Sequence, residues 1–358
     1  FPGGGPTGLA EFFGDHMVVN GIIWPKAKVE PRHYRMHLLN GCDSRFLGVR
    51  FRHVPMGATE LSNASAPLPF WVIGSDQGLA AQATQTDLLL INPGERYDIV
   101  FDFSQVPMGS RIVMENSAAD APFSGFDFDA DDFFPDRQTD RIMAFDVVKR
   151  KRRWIPDRFD PSAINHYDGV HGHVDRVRKV ALFEGKDEFG RLQPILGTAE
   201  PATDASGNPV LRTMGPLAGQ PINGAAAWHE PTTENPALNS TEIWEVFNAT
   251  GDAHPVHLHL VNFEILDREG FSADVVMQPV VQHDGAIGKG FRLENIATDG
   301  IVESATGVEK APKDMVTAYP DQVTRIKATF DRPGRYVWHL SLIHISEPTR
   351  LKTRSRLA

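Results

Sequence analysis

Apolar residues in this chain come in short runs, and most runs end at glycine, proline or asparagine. Within several of them Val, Ile, Phe and Tyr alternate with polar residues, the period of a strand with one buried face. No segment sustains the longer period of an amphipathic helix. Met17–Trp24 is two apolar runs around Asn20-Gly21, a dipeptide suited to the left-handed backbone of a tight hairpin. Further strands are predicted at Tyr34–Leu39, Phe46–Phe51, Phe70–Ile73, Asp87–Ile91, Tyr97–Phe103, Arg111–Glu115 and Arg141–Val148. After a polar middle they resume at Lys179–Phe183, Glu242–Phe247, His257–Leu266, Thr324–Phe330 and Arg335–His339. This pattern predicts β-sandwiches.

A weak internal repeat supports two sandwiches of one kind. Tyr34–Gly41 resembles Ile243–Ala249; Asn92-Pro93-Gly94-Glu95-Arg96 resembles Tyr319-Pro320-Asp321-Gln322-Val323; Val106–Glu115 resembles Asp331–His339. The order is the same in all three. The copies differ where metal could bind. The second has a histidine cluster where the first has Cys42-Asp43-Ser44-Arg45-Phe46, and His339 where the first has Met114 or Glu115.

That cluster is His254-Pro255-Val256-His257-Leu258-His259. On a strand, His257 and His259 share a face while Leu258 turns into the core. His254 precedes proline, which biases it to an extended or turn conformation at the strand's entrance. A lone histidine is usually a satisfied core or surface residue, whereas three at this spacing point to a metal site, since neutral imidazole suits copper, zinc, iron and nickel. His171-Gly172-His173 is a loop pair of weaker promise. Asp120–Asp136, acidic and rich in phenylalanine, is expected to be an exposed loop, and Lys149–Arg153 a charged linker.

Composition narrows the field. A chain of 358 residues has room for two domains, and a net charge of -10 argues against a nucleic-acid surface. No apolar run is long enough to span a bilayer. One cysteine, Cys42, excludes an internal disulfide framework.

His254-Pro255-Val256-His257-Leu258-His259, with Gly334-Arg335-Tyr336-Val337-Trp338-His339 some eighty residues on, resembles the C-terminal cupredoxin domain of a multicopper oxidase, in the branch of bacterial spore-coat laccases and bilirubin oxidases. Leu38–Arg45, Gly94–Val100 and Thr241–Trp244 are similar to that branch too, and the likeness covers roughly residues 10–339. The resemblance implies two Greek-key cupredoxin β-sandwiches, domains two and three of a three-domain enzyme. It implies copper as cofactor, with His254 a type 1 ligand, His257 a type 2 ligand, and His259 and His339 type 3 ligands. It implies one-electron oxidation of phenols, aryl amines, bilirubin or metal ions at the type 1 copper, with dioxygen reduced to water at a three-copper cluster. An extracellular, periplasmic or spore-coat location follows from the family alone.

The departures matter as much. After His339 the family pattern has cysteine, histidine and a further type 1 histidine, and here those positions hold Leu340, Ser341 and Ile345. His344 falls one place short, which on a strand turns it to the other face. A type 1 site needs a thiolate and two imidazoles, and Cys42 lies in the first copy without neighbouring histidines. The two His-x-His pairs of the family's first domain are absent. The sequence from Leu340 onward is therefore expected to be non-native, and the chain an incomplete, inactive piece. The expected organisation is a linker remnant (1–15), a cupredoxin-like domain without copper ligands (16–150), a linker (151–175), a copper-binding domain (176–345) and a non-native tail (346–358). Two rivals stand beside this: a copper-free cupredoxin scaffold of the cell envelope, disfavoured by the retained histidines, and a copper nitrite reductase, disfavoured by the lack of a first-copy copper site.

Overall fold

The computed structural model describes residues 11–150, 156–282, 285–340 and 349–353. Two compact units divide the chain: an N-terminal unit of Phe12–Asp168 with Gly307–Pro312, and a C-terminal unit of Phe1–Glu11, Gly169–Thr306 and Lys313–Ala358. Part of the expected charged linker, residues 151–155, lies outside the described residues.

The N-terminal unit opens on the hairpin the sequence predicts, β1 (Val18–Val19) and β2 (Ile22–Ile23). Asn20 (φ 50°) and Gly21 (φ 81°) are both left-handed, as its tight turn requires. The strands that follow are β3 (Lys26–Val29), β4 (His33–Leu39), β5 (Leu47–Val54), β6 (Phe70–Ser75), β7 (Gly78–Thr86), β8 (Leu89–Ile91), β9 (Arg96–Asp102), β10 (Arg111–Asn116) and β11 (Arg141–Val147). They form two sheets, β3-β11-β10-β5-β8 and β4-β9-β6-β7. Both contribute to one core, in which Phe51 stacks on Phe101 at 4.5 Å and meets Phe70 edge-on at 5.1 Å. Gln77 N, just before β7, and Ala81 N within it donate to Pro312 O (3.1 Å) and Lys310 O (3.0 Å), so the segment Gly307–Pro312 covers part of that strand.

The loop Asp120–Asp136 is less exposed than its charge suggests. Phe123 is buried against Phe46 at 4.7 Å, and Phe126, Phe128 and Phe133 extend the ring cluster. Asp120 is buried too, because Arg45 and Thr139 both bond its Oδ1.

The C-terminal unit contains β12 (Arg176–Lys186), β13 (Leu192–Thr198), β14 (Gly224–Ala225), β15 (Thr241–Asn248), β16 (His254–Leu258), β17 (Phe263–Val281), β18 (Ile287–Ser304), β19 (Met315–Ala318), β20 (Gln322–Thr329), β21 (Gly334–Leu340) and β22 (Thr349–Thr353). A seven-stranded sheet runs β14-β13-β12-β15-β20-β17-β18, and a bridge between Lys186 and Lys289 joins β18 back to β12. A four-stranded sheet, β19-β16-β21-β22, carries the histidines. One core holds Val180 and Leu182 of β12, Trp244 and Val246 of β15, and Val256, Leu258 and Trp338 of the four-stranded sheet. A second core takes the alternate residues Ala181, Phe183 and Phe247, with Val280, Leu293 and Val323. Burial on both faces explains why β12 reads as a continuous apolar run.

The repeat seen in the sequence has a structural counterpart. Asn40 Nδ2 donates to Ile91 O (2.9 Å) and Arg45 O (2.8 Å), while its Oδ1 accepts from Cys42 N (3.0 Å). Asn248 Nδ2 donates to Ala318 O (2.9 Å) and Asp252 O (2.7 Å), while its Oδ1 accepts from Thr250 N (3.1 Å). Ile91 and Ala318 both stand just before the repeated proline turns. Gly94 N and Asp321 N return bonds to Asn40 O and Asn248 O.

One predicted strand is two. His257–Leu266 breaks after Leu258, because exposed Leu260 takes a left-handed backbone (φ 73°) and turns the chain into β17. The long arms of β17 and β18 and the whole of β7 and β13 escape the sequence reading. Their glycines and charged residues suppress the alternating pattern, and neighbouring strands, not propensity, hold them extended.

Candidate metal centre

Strand register builds the site. β16 lies antiparallel between β19 and β21, with His257 directly opposite His339 and Leu258 opposite Trp338. Side chains alternate, so Leu258 and Trp338 enter the core while His257 and His339 emerge together on the other face. His259 lies one residue past the strand end, where its N–H still bonds Val337 O at 3.1 Å. That bond extends the ladder far enough to keep His259 beside His257.

The three rings converge. Centroids are 4.4 Å apart for His257 and His259, 5.3 Å for His257 and His339, and 5.0 Å for His259 and His339. One ligand atom from each lies within 4.8 Å of the others, the only such triple of His, Cys, Asp or Glu among the described residues. Two ring orientations are set by main-chain carbonyls. His257 Nδ1 bonds Asp314 O at 2.9 Å and His339 Nδ1 bonds Leu340 O at 2.7 Å. A carbonyl only accepts, so both Nδ1 atoms carry a proton, and in the neutral ring that leaves the lone pair on Nε2. His259 Nε2 meets His339 Nε2 at 2.9 Å.

The electrostatics favour the neutral form of His259 and His339. Burial, then the proximity of His257 and His339, pushes His259 down to about 4. Burial lowers His339 as well. Neutral imidazoles of fixed tautomer, oriented by carbonyls, are the form a metal takes up without displacing protons, and this nitrogen set suits copper.

His254 stands elsewhere. Three residues before His257 on the same strand, it faces the opposite way and is 2% exposed. Among the described residues its Nε2 has no hydrogen-bond partner, and Glu184 Oε1 lies 3.7 Å away. Burial, with Asp252 and Glu184 adding repulsion against the pull of His254, raises Glu11 to about 7. Burial and then Glu184 raise Asp252. Sequence reasoning missed all three carboxylates. Asp252 is close to His254 in sequence, but Glu184 on β12 and Glu11 carry no signal.

The remaining candidates do not join either group. His171 and His173 lie in an exposed loop. In the N-terminal unit Met114 is buried and Glu115 pairs with Arg52, and burial pushes the Cys42 thiol up. Ser341, His344 and Ile345 lie outside the described residues.

The sequence profile of the family described as multicopper oxidase matches residues 202–347. A laccase of Bacillus subtilis (strain 168) is 31% identical over 340 residues, covering 94% of this chain and 53% of the laccase. A bilirubin oxidase of Albifimbria verrucaria is 31% identical over 274 residues, covering 75% of this chain and 40% of that enzyme. The chain thus spans about half the length of these relatives. In fold it is similar to the McoA multicopper oxidase of Aquifex aeolicus, with a TM-score of 0.62 at 21% identity, covering 97% of this chain and 60% of that one.

Proposed function

We propose that this chain, which belongs to the multicopper oxidase family, supplies one wall of a copper cage, with His257 as a type 2 ligand and His259 and His339 as type 3 ligands. Residues 16–150 and 176–345 would be the second and third cupredoxin domains of the longer enzyme. The observation that carries the reading is the triple of imidazoles within 4.8 Å, two of them with Nδ1 committed to carbonyls. Copper bound there supplies one-electron redox chemistry toward dioxygen. The chain's own part is to present lone pairs: the β16–β21 register holds His257 and His339 on one face, and Asp314 O and Leu340 O fix how their rings turn.

Three imidazoles ligate only part of a three-copper cluster. The other ligands would come from protein beyond this sequence, as would the electron-entry site, since the one thiol, Cys42, belongs to the N-terminal unit. The intact enzyme would oxidise small phenolic, aryl-amine, bilirubin-like or metal-ion substrates with dioxygen, and this chain alone would not turn over.

Calorimetric titration with Cu(II) tests this. We expect uptake at the histidine triple, weakened by about 10- to 100-fold or more in His257→Ala, His259→Ala and His339→Ala. No intense blue thiolate band and no oxygen consumption with a phenol should appear. Affinity unchanged by all three substitutions, or a blue band with turnover, would reject the reading.

A further inference from the structure

A cavity of about 290 Å³ in the N-terminal unit is lined by residues of β3, β10 and β11 and by the stretch 58–61 after β5. Its apolar wall includes Trp24, Leu61, Val113 and Met143. Its charged groups are Lys26, Glu60, Arg111 and Arg141. It shares no residue with the histidine triple. We propose that this cavity binds a small monocarboxylate with an apolar body, a ligand distinct from the copper of the histidine cage.

Two features of Trp24 point to a ligand. Its indole Nε1 is buried with no hydrogen-bond partner among the described residues. Buried donors rarely go unpaired, and an acceptor oxygen in the cavity that the ring lines would pair this one. Its backbone is left-handed (φ 41°), a conformation that a bulky side chain seldom takes. Neighbours hold it there: Trp24 N donates to Met17 O at 3.0 Å, and His16 stacks on the indole at 4.9 Å. Backbone of this kind is concentrated where a side chain is presented to a ligand.

The two arginines build the wall. Arg111 is held by Asp146 through bonds of 2.7 and 3.1 Å and donates to Ala58 O at 2.8 Å. Arg141 is held by Asp140 and donates to Thr59 O. Each guanidinium has a carboxylate of its own, and together they pin the stretch after β5, so the protein's own bonds set the shape of the cavity. On the other side Ala144 N donates to Pro25 O at 3.0 Å, next to Trp24. That leaves Lys26 as the uncommitted cation of the lining, exposed and with no hydrogen bond or ion pair among the described residues. An unpaired ammonium and an unpaired indole N–H beside apolar walls suit a ligand with one anionic, strongly accepting head and an apolar body. An uncharged ligand would leave Lys26 unused. A dianion would meet exposed Glu60 with too little positive charge to offset it.

The test titrates the full chain by calorimetry with octanoate and 3-phenylpropanoate, an alkyl and an aryl probe, and with octanamide as the uncharged counterpart. The expected result is one equivalent of at least one carboxylate, with octanamide weaker by about tenfold or more and carboxylate affinity falling as salt is added. Which carboxylate binds tells an alkyl from an aryl ligand. Trp24→Phe, which keeps a ring and removes the N–H, should weaken the carboxylate by about tenfold. Lys26→Gln should weaken it about two- to fivefold, and Glu60→Gln should tighten it by a similar factor. Lys26 and Glu60 are exposed, so their variants keep the test decisive if Trp24→Phe misfolds. No saturable binding of either carboxylate, octanamide binding as tightly as octanoate, or affinity that Lys26→Gln and Glu60→Gln both leave unchanged overturns the proposal. Copper uptake by the histidine triple is a separate readout, so either reading can fail while the other stands.

Discussion

Glu234 shows how the histidine-bearing sandwich handles an awkward residue. It is 1% exposed, accepts bonds from Thr233 Oγ1 (2.6 Å) and the Trp338 indole (3.2 Å), and lies near Arg178, whose guanidinium is already committed to Glu242 by two bonds of 2.9 Å. Burial therefore raises the Glu234 carboxyl above its ordinary 4.5. Above that pH the unfolded chain sheds a proton that the folded chain keeps, so the folded state binds more protons and stability falls as pH rises toward the folded value. Glu234→Gln should remove that slope and leave the protein more stable at neutral pH, since an amide carbonyl accepts the same two bonds. Urea midpoints across about pH 5 to 8 check it, and equal slopes in the two proteins would refute it. Legibility at this scale follows sequence distance. His257 and His259 share a face by alternation alone, whereas His339, eighty residues away, is tied to them only by family resemblance. Glu184, a single acid on a buried strand, looks like any other.

Strands were easier to read than their limits. The Asn20-Gly21 hairpin and most strand centres follow from turn chemistry and period two. The break at Leu260 does not, because an apolar residue in a left-handed turn gives no local cue. The long β17–β18 arms are equally silent, being set by pairing. Glycines there are matters of contact: a Cβ on Gly185 would lie 2.3 Å from Lys289 O, so only glycine lets β12 meet β18. The asparagines Asn40 and Asn248 are the element-scale joints, each tying a strand end to the turn beside it by bonds with no exposed alternative. Asn40→Ala and Asn248→Ala should each destabilise by roughly 2–3 kcal/mol, through stranded buried carbonyls. Because the two lie in different units and bond different partners, the double variant should lose the sum. Urea unfolding of the three variants measures this, and a near-neutral Asn248→Ala would show that the joint is dispensable.

At the scale of the molecule, period and punctuation foretold two sandwiches. They could not foretell that the stretch Gly307–Pro312, sequence between β18 and β19, is part of the other unit. Its carbonyls at Lys310 and Pro312 accept from Ala81 N on the border strand β7 and from Gln77 N just before it. An uncovered border strand recruits a foreign strand through its vacant main-chain groups. On that ground the six residues are expected to guard against self-association. Replacing Gly307–Pro312 by a glycine-serine bridge of equal length should leave both cores folded by circular dichroism, yet make the protein scatter light and bind amyloid dyes on mild warming. If the replaced chain stays monomeric, β7 is protected by something other than its cover.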